Sequence, residues 1–180
     1  MYLQSVNQNV LTNNVMWKDL LLKQELLFTL DKVGFQVPSP IQVKTIPVII
    51  QGHNVIYQSK AGSGKTAVFV LSILHMMRPE YKSGYLPHQC LVIAKTRELA
   101  YQIAQEFERF SQFMDQPRVR IGCFFGGIPI HENYDILTSD MTPHIIVGTP
   151  GRLKSLFEKG FINLNNVKII IFIVAFFGDR

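Results

Sequence analysis

The stretch Asn54-Val55-Ile56-Tyr57-Gln58-Ser59-Lys60-Ala61-Gly62-Ser63-Gly64-Lys65-Thr66 decides how the rest of the chain is read. An apolar, strand-like run feeds directly into a glycine-rich turn ending in Lys-Thr, which predicts a phosphate cradle from Ser59 to Thr66, made of Ser59, Lys60, Ala61, Gly62, Ser63, Gly64, Lys65 and Thr66. Glycines let the backbone curl until successive N–H groups point at one anion; Lys65 adds a flexible positive charge, and the Thr66 hydroxyl is placed to ligate Mg²⁺. A helix starting near Lys65 would aim the positive end of its dipole at the same phosphates. The usual pattern opens on a glycine where this chain has Ser59, so a plain strand-to-helix turn is the competing reading. Lys65 and Thr66 together favour nucleotide binding over it.

Outward from the cradle, apolar runs alternate with amphipathic stretches, the pattern of β-α-β units and a mostly parallel sheet with helices on both faces. Strands are expected at His53–Gln58, Gln89–Ala94, Arg118–Phe124, His144–Gly148 and Lys168–Ile173. The clearest helix is Thr96–Met114, where Leu99, Ile103, Phe107, Phe110 and Met114 form one apolar stripe at spacings of three and four. A further helix is expected over Trp17–Val33, stopped by Gly34, and a loop over Arg78–His88. In parallel α/β sheets ligands sit at the carboxyl ends of strands. The cradle, Lys95-Thr96-Arg97-Glu98, Gly126-Gly127 and Thr149-Pro150-Gly151-Arg152 each follow an expected strand, so one face of the domain collects them.

The 180 residues suit one domain, and with 17% charged and 47% hydrophobic residues the composition is globular rather than disordered. Lys and Arg outnumber Asp and Glu by 18 to 13, a net +5 that suits a polyanion but equally a basic soluble surface. Cys90 and Cys123 lie in apolar runs and read as two buried free thiols, without a disulfide partner, in a reducing compartment. The start of the chain has no secretory pattern, and its longest apolar run, Ile169–Phe177, is far short of the ~20 residues a membrane-spanning helix needs. The expectation is a soluble intracellular protein with no membrane contact.

The ordered set Gly34-Phe35 with Pro40-Ile41-Gln42, SKAGSGKT at 59–66, TRELA at 96–100, Gly126-Gly127 and TPGR at 149–152 resembles the first RecA-like domain of DEAD-box RNA helicases. The phrases KTAVFVL, TRELAYQI, FFGG and HIIVGTPGR are most similar to the mRNA-export and splicing subgroup, whose acidic motif reads Asp-Glu-Cys-Asp. The resemblance implies an α/β RecA-like P-loop domain over residues 15–172, after a loose lead-in at 1–14, using ATP with Mg²⁺ held through Thr66. It gives Gln42 the adenine edge and Phe35 or Trp17 the face of the base. A carboxamide donates and accepts at once, and so can tell adenine from guanine. The alternatives are an exposed helix residue for Gln42 and a core anchor for Trp17. The resemblance also assigns the RNA backbone to Thr96, Arg97, Gly127, Thr149, Gly151 and Arg152. A Thr-Pro-Gly helix start offers unpaired N–H groups, and arginine adds charge-assisted bonds to phosphate, read without regard to base. Against that stand simple helix capping by Thr149 and a surface ion pair of Arg97 with Glu98. By the same resemblance, partners would be mRNA-export or splicing proteins, and the location the nucleus rather than the cytoplasm.

The pattern then breaks. By the resemblance, Ile173, Val174, Ala175 and Phe176 occupy the four positions of the acidic motif, and the expectation is an aberrant apolar tail over residues 173–180 and no second helicase domain. No carboxylate stands there to hold the Mg²⁺ water shell or orient an attacking water. A missing general base alone removes roughly 10²–10⁴ in rate, so hydrolysis is expected to be impaired. The readings are therefore the amino-terminal half of a helicase, or a non-catalytic ATP- and RNA-binding fragment that competes with a complete relative. Another P-loop NTPase such as a small kinase is disfavoured, because TRELA and TPGR do nothing for a small phosphate acceptor. Ile169–Phe177, as a central parallel strand, is expected to be buried on both sides, with its end Ala175-Phe176-Phe177 protruding and aggregation-prone.

Overall fold

A computed structural model describes residues 15–60, 62–77, 88–114, 118–140 and 142–174. The chain divides into two compact units, Met1–Met77 with Arg109–Asp115, and Arg78–Glu108 with Gln116–Arg180. The expected lead-in at 1–14, the expected loop Arg78–His88 up to Pro87 and the end of the tail from Ala175 lie outside the described residues.

The first unit is helical. The expected helix over Trp17–Val33 is two pieces, a 3₁₀ turn at Trp17–Leu20 and α1 at Gln24–Lys32, because Leu21 takes a left-handed φ of 56° that ends the first. Gly34 closes α1 as expected, with a φ of 79°, and the Phe35 N–H donates back to the Leu30 carbonyl at 2.9 Å. Helix α2, Pro40–Ile50, opens on a capping box in which the Gln42 side chain reaches back to Ser39, with Pro40 at the first helical position. Helix α3, Lys65–Met76, is buried continuously from Ala67 to Leu74, as a helix apolar all round must be. Phe110 meets Phe35 edge-on at 5.3 Å, and Phe113 meets Phe28 likewise at 5.6 Å.

One expected strand fails. His53–Gln58 pairs with no strand among the described residues and runs as irregular, extended chain with Ile56 exposed. Its apolar residues suit a pleat, but a strand exists only where a neighbour accepts its ladder of hydrogen bonds.

The second unit holds the sheet. Strands β1 (Cys90–Ala94), β2 (Ile121–Phe124), β3 (Ile145–Gly148) and β4 (Ile169–Ile173) are all parallel, in the order β2-β3-β1-β4. Helices α4 (Arg97–Ser111), α5 (Ile130–Thr138) and α6 (Pro150–Glu158) make the connections, so the parallel α/β class read from the sequence is the observed one. The α4 stripe is in place, with Ile103, Phe107 and Phe110 buried. Leu91, Phe124, Leu137, Ile146, Leu153, Leu156 and Ile162 form a core between strands and helices.

Two expectations are corrected here. The last strand, expected to be buried on both sides, is the edge of the described sheet, with Ile170 52% and Phe172 69% exposed. Cys123, expected to be buried, is half-buried, while Cys90 is fully buried; both thiols are free. Burial pushes both thiols up, Cys123 to about 11 with a smaller push from Glu108, so neither is poised to react.

At the amino ends of the strands sits a polar brace with no signal in the sequence. The His88 and Gln89 amides donate to the carbonyls of Pro143 and His144 at 3.1 and 2.8 Å, and the His144 amide donates to Arg120 O at 2.9 Å. His144 Nδ1 accepts from the Arg120 amide at 3.1 Å, which requires that nitrogen to be unprotonated. Both imidazoles are buried, and burial lowers both; His144 falls to about 4, pushed further by Arg120 and His88.

Candidate functional site

In the first unit the glycine-rich turn has the shape expected of a cradle. Gly62 and Gly64 take φ of 76° and 83°, conformations that side chains rarely adopt, and a Cβ on Gly64 would run into the Gln42 amide. Gly64 caps α3 with no side-chain hydrogen bond, which leaves the N–H groups of the first turn for a ligand. The loop's polar groups meanwhile serve one another. Lys65 Nζ donates to the carbonyls of Ser59 and Lys60, the latter at 2.6 Å, and the Ser59 and Ser63 hydroxyls are 2.5 Å apart. Ser39 Oγ donates to Ser63 O at 2.9 Å, and Tyr57 Oη donates to Lys65 O at 3.0 Å. Burial holds the Tyr57 phenol protonated, so it remains a donor. Thr66 is half-buried beside Lys65, and Ala61 lies outside the described residues. Two left-handed glycines, an uncapped helix start and one ammonium fit a nucleotide's phosphates with their Mg²⁺.

Around the cradle, Gln42 is not the exposed residue of the competing reading. Only 3% exposed, its Oε1 accepts from the Ser39 amide at 2.7 Å and its Nε2 donates to Gly64 O at 3.3 Å. Trp17 is 6% exposed, its ring 6.5 Å from that of Phe35, and its buried Nε1 has no partner among the described residues. Phe35 is half-buried, with the Arg109 guanidinium 5.2 Å from its ring.

In the second unit three loops meet at the carboxyl ends of β1, β2 and β3. They enclose an open cleft of about 580 Å³ lined by Lys95, Thr96, Arg97, Glu98, Gly126, Thr149, Gly151, Arg152 and Ser155. Five of the six residues expected to face an RNA backbone line it; the sixth, Gly127, supports Arg97. A Cβ on Gly127 would stand 2.7 Å from Arg97 Nη1, so the guanidinium lies against the bare glycine backbone, whose φ is 98°. Arg152 donates to Asn133 Oδ1 and to the Ile128 carbonyl, both at 2.6 Å. Thr149 precedes α6 without making a side-chain cap, whereas Thr96 Oγ1 does cap α4, accepting from the Leu99 amide at 3.2 Å. Glu98 is fully exposed and held below the usual carboxylate range by its own backbone amide, the Thr96 hydroxyl and Arg97.

Two residues escaped the reading of the sequence. Ser155 lines the cleft and could have been found, four residues after Gly151 and therefore on the same helical face. Asn133, which bonds Arg152, gave no sign. At the acidic-motif positions, Ile173 pairs with Ala94 at the carboxyl end of β4 and Val174 is exposed, while Ala175 and Phe176 lie outside the described residues.

The profile of the DEAD/DEAH box helicases matches residues 39–172, which takes in the cradle and all three cleft loops. The chain belongs to the DEAD/DEAH box helicase family. Over 156 residues it is 46% identical to ATP-dependent RNA helicase sub2 of Sclerotinia sclerotiorum, covering 86% of this chain and 34% of that protein. DEAD-box ATP-dependent RNA helicase 56 of Oryza sativa is 46% identical over 155 residues, with the same coverage. Among solved structures, a DEAD box protein from Methanococcus jannaschii superposes with a TM-score of 0.76 at 30% identity, over 87% of this chain and 40% of that one. The DEAD-box chain described here thus spans about a third of the length of these curated relatives, and its fold is RecA-like. Among the described residues no helix is long and apolar enough to cross a membrane.

Proposed function

We propose that this chain is the ATP- and RNA-binding amino-terminal domain of a DEAD-box RNA helicase, and that it holds its ligands while hydrolysing ATP poorly. The observation that carries the reading is the cleft, whose lining brings together two guanidiniums, a lysine and a helix start that no side chain caps. Thr96, Arg97, Thr149, Gly151 and Arg152 would grip phosphates, with Gly127 seating Arg97, and leave the bases unread, giving sequence-independent, salt-sensitive binding.

In the cradle, Lys65 would leave the carbonyls of Ser59 and Lys60 for the phosphates, and Thr66 would ligate Mg²⁺. Phe35, backed by Trp17, would face the base. Gln42 has one N–H and one lone pair left by its bonds to Gly64 and Ser39, enough for an adenine edge. When bound, ATP supplies the phosphoryl group whose hydrolysis drives RNA remodelling in complete members of the family. Ile173 and Val174 cannot orient the water for that step, which favours a second reading of the chain as a non-catalytic competitor. By resemblance to the mRNA-export and splicing subgroup, the proposed setting is the nucleus and the partners are proteins of those processes.

Two measurements test this. Titration with a fluorescent ATP analogue should give weak binding that Lys65→Ala reduces about 10- to 100-fold, the worth of a charge-assisted contact; unchanged affinity refutes the cradle. RNA-stimulated phosphate release should be near background in this chain and should rise in Ile173→Asp/Val174→Glu supplied with a second helicase domain. Brisk release from the unaltered chain refutes the impairment.

A further inference from the structure

Arg152, in the first turn of α6, donates to two acceptors, Asn133 on α5 and the backbone of Ile128 next to Gly127. We propose that Asn133 is a positioning residue for the nucleic-acid cleft, fixing the Arg152 guanidinium in register with Arg97 while leaving its charge uncancelled. The inference rests on the reading of the cleft as an RNA-backbone site and adds a residue that touches no ligand.

Three observations carry it. Asn133 is 3% exposed, so its carboxamide has no solvent role, and its Oδ1 lies 2.6 Å from Arg152 Nη1. A buried amide oxygen at that distance from a guanidinium makes a charge-assisted bond that fixes one rotamer of a long, otherwise floppy side chain. Second, both acceptors are neutral. Among the described residues Arg152 faces no carboxylate, so its positive charge remains for an anion, whereas a buried Asp at 133 would largely neutralise it. Third, the two bonds tie the segment after β2 to the helix after β3. Arg152 thereby holds still the same turn on which Arg97 rests through Gly127. An arginine already pinned loses less rotamer freedom on meeting a phosphate than a free one.

The test uses the full chain and a fluorescein-labelled single-stranded oligouridine RNA, with affinity read by anisotropy across a salt series. Arg152→Ala should weaken binding about 10-fold, and Asn133→Ala about 3- to 5-fold. The double variant should be no weaker than Arg152→Ala alone, since Asn133 acts only through that arginine. Additive losses, or no loss in Asn133→Ala, would overturn the proposal, because a merely structural asparagine does not depend on Arg152. Should Asn133→Ala fail to fold, Asn133→Asp keeps an acceptor oxygen and adds the cancelling charge. Its salt slope should then be shallower by about 0.7, one phosphate contact on a single strand, and an unchanged slope would count equally against us. If the unaltered chain shows no salt-dependent binding, the RNA reading falls together with this inference. If it binds and the variants disagree with these expectations, this inference falls alone.

Discussion

The cradle and the cleft, the two phosphate sites proposed above, both carry cations and helix starts, yet they are built in opposite ways. In the cradle the groups meant for a ligand are bonded to one another: Lys65 sits on the loop's own carbonyls, and Ser59 and Ser63 pair across it. The segment leading into the loop pairs with no strand among the described residues. In the cleft, the cations rest on parts that a phosphate would leave alone, the Gly127 backbone for Arg97 and Asn133 with Ile128 for Arg152. A ligand must therefore rearrange the cradle but only enter the cleft. Preorganisation costs the cleft little at the moment of binding, whereas the cradle has to break internal bonds first.

The largest measurable consequence lies in hydrogen exchange. Amides of β3, paired on both sides, open only with the whole sheet, while those of residues 53–58 have no ladder to protect them among the described residues. Protection of residues 145–148 should exceed that of 53–58 by roughly 10³-fold or more. Saturating nucleotide should narrow the gap from the cradle side only. Equal protection without ligand would erase the contrast between a braced and an unbraced site.

That contrast also marks how much could be read from the sequence. The strands β1 and β3 were legible because a short apolar run buried on both faces leaves few other choices, and the loops of the cleft followed from the strand ends. The segment 53–58 carries an equally good local pattern in Val55, Ile56 and Tyr57 and still pairs with no strand among the described residues; what decides is a partner elsewhere, about which a local pattern is silent. For β4 the composition was right and the environment wrong, since a run of isoleucine reads the same at an edge as in the centre. Asn133 was invisible because one polar residue on an amphipathic helix looks solvated until its partner, nineteen residues on, is placed.

Next in size is an acid lability carried by the histidines of the braced unit. The buried imidazoles of His88 and His144 are held below their ordinary value by burial, with His144 near 4 against 6.5 in an unfolded chain. Below pH 6.5 the unfolded state binds more protons than the folded one. Stability is therefore fully present above that pH and is lost as pH falls from about 6.5 towards 4. His144 accounts for roughly 2–3 kcal/mol of the loss. Urea midpoints across this range should fall steeply, and His144→Gln should flatten the slope; a midpoint indifferent to pH would remove the histidine brace from the account of why the cleft is firm.

The smallest effect isolates the preorganisation itself. Gly127 takes a φ of 98°, which an alanine adopts only with strain, and the added methyl would press on Arg97 Nη1 from 2.7 Å. Gly127→Ala should cost about 1–2 kcal/mol of stability from backbone strain, a loss visible in thermal melts. The informative quantity is the accompanying change in RNA affinity. If the cleft works by holding Arg97 in advance, displacing the guanidinium should weaken binding about 3- to 10-fold while the salt slope stays as it was, because the charge is moved and not removed. Affinity for the ATP analogue should not change. A variant that melts earlier but binds RNA as tightly as its parent would mean that Arg97 finds phosphate from any starting position. The cleft would then be as adaptable as the cradle, and the difference in construction between them would have no bearing on how they bind.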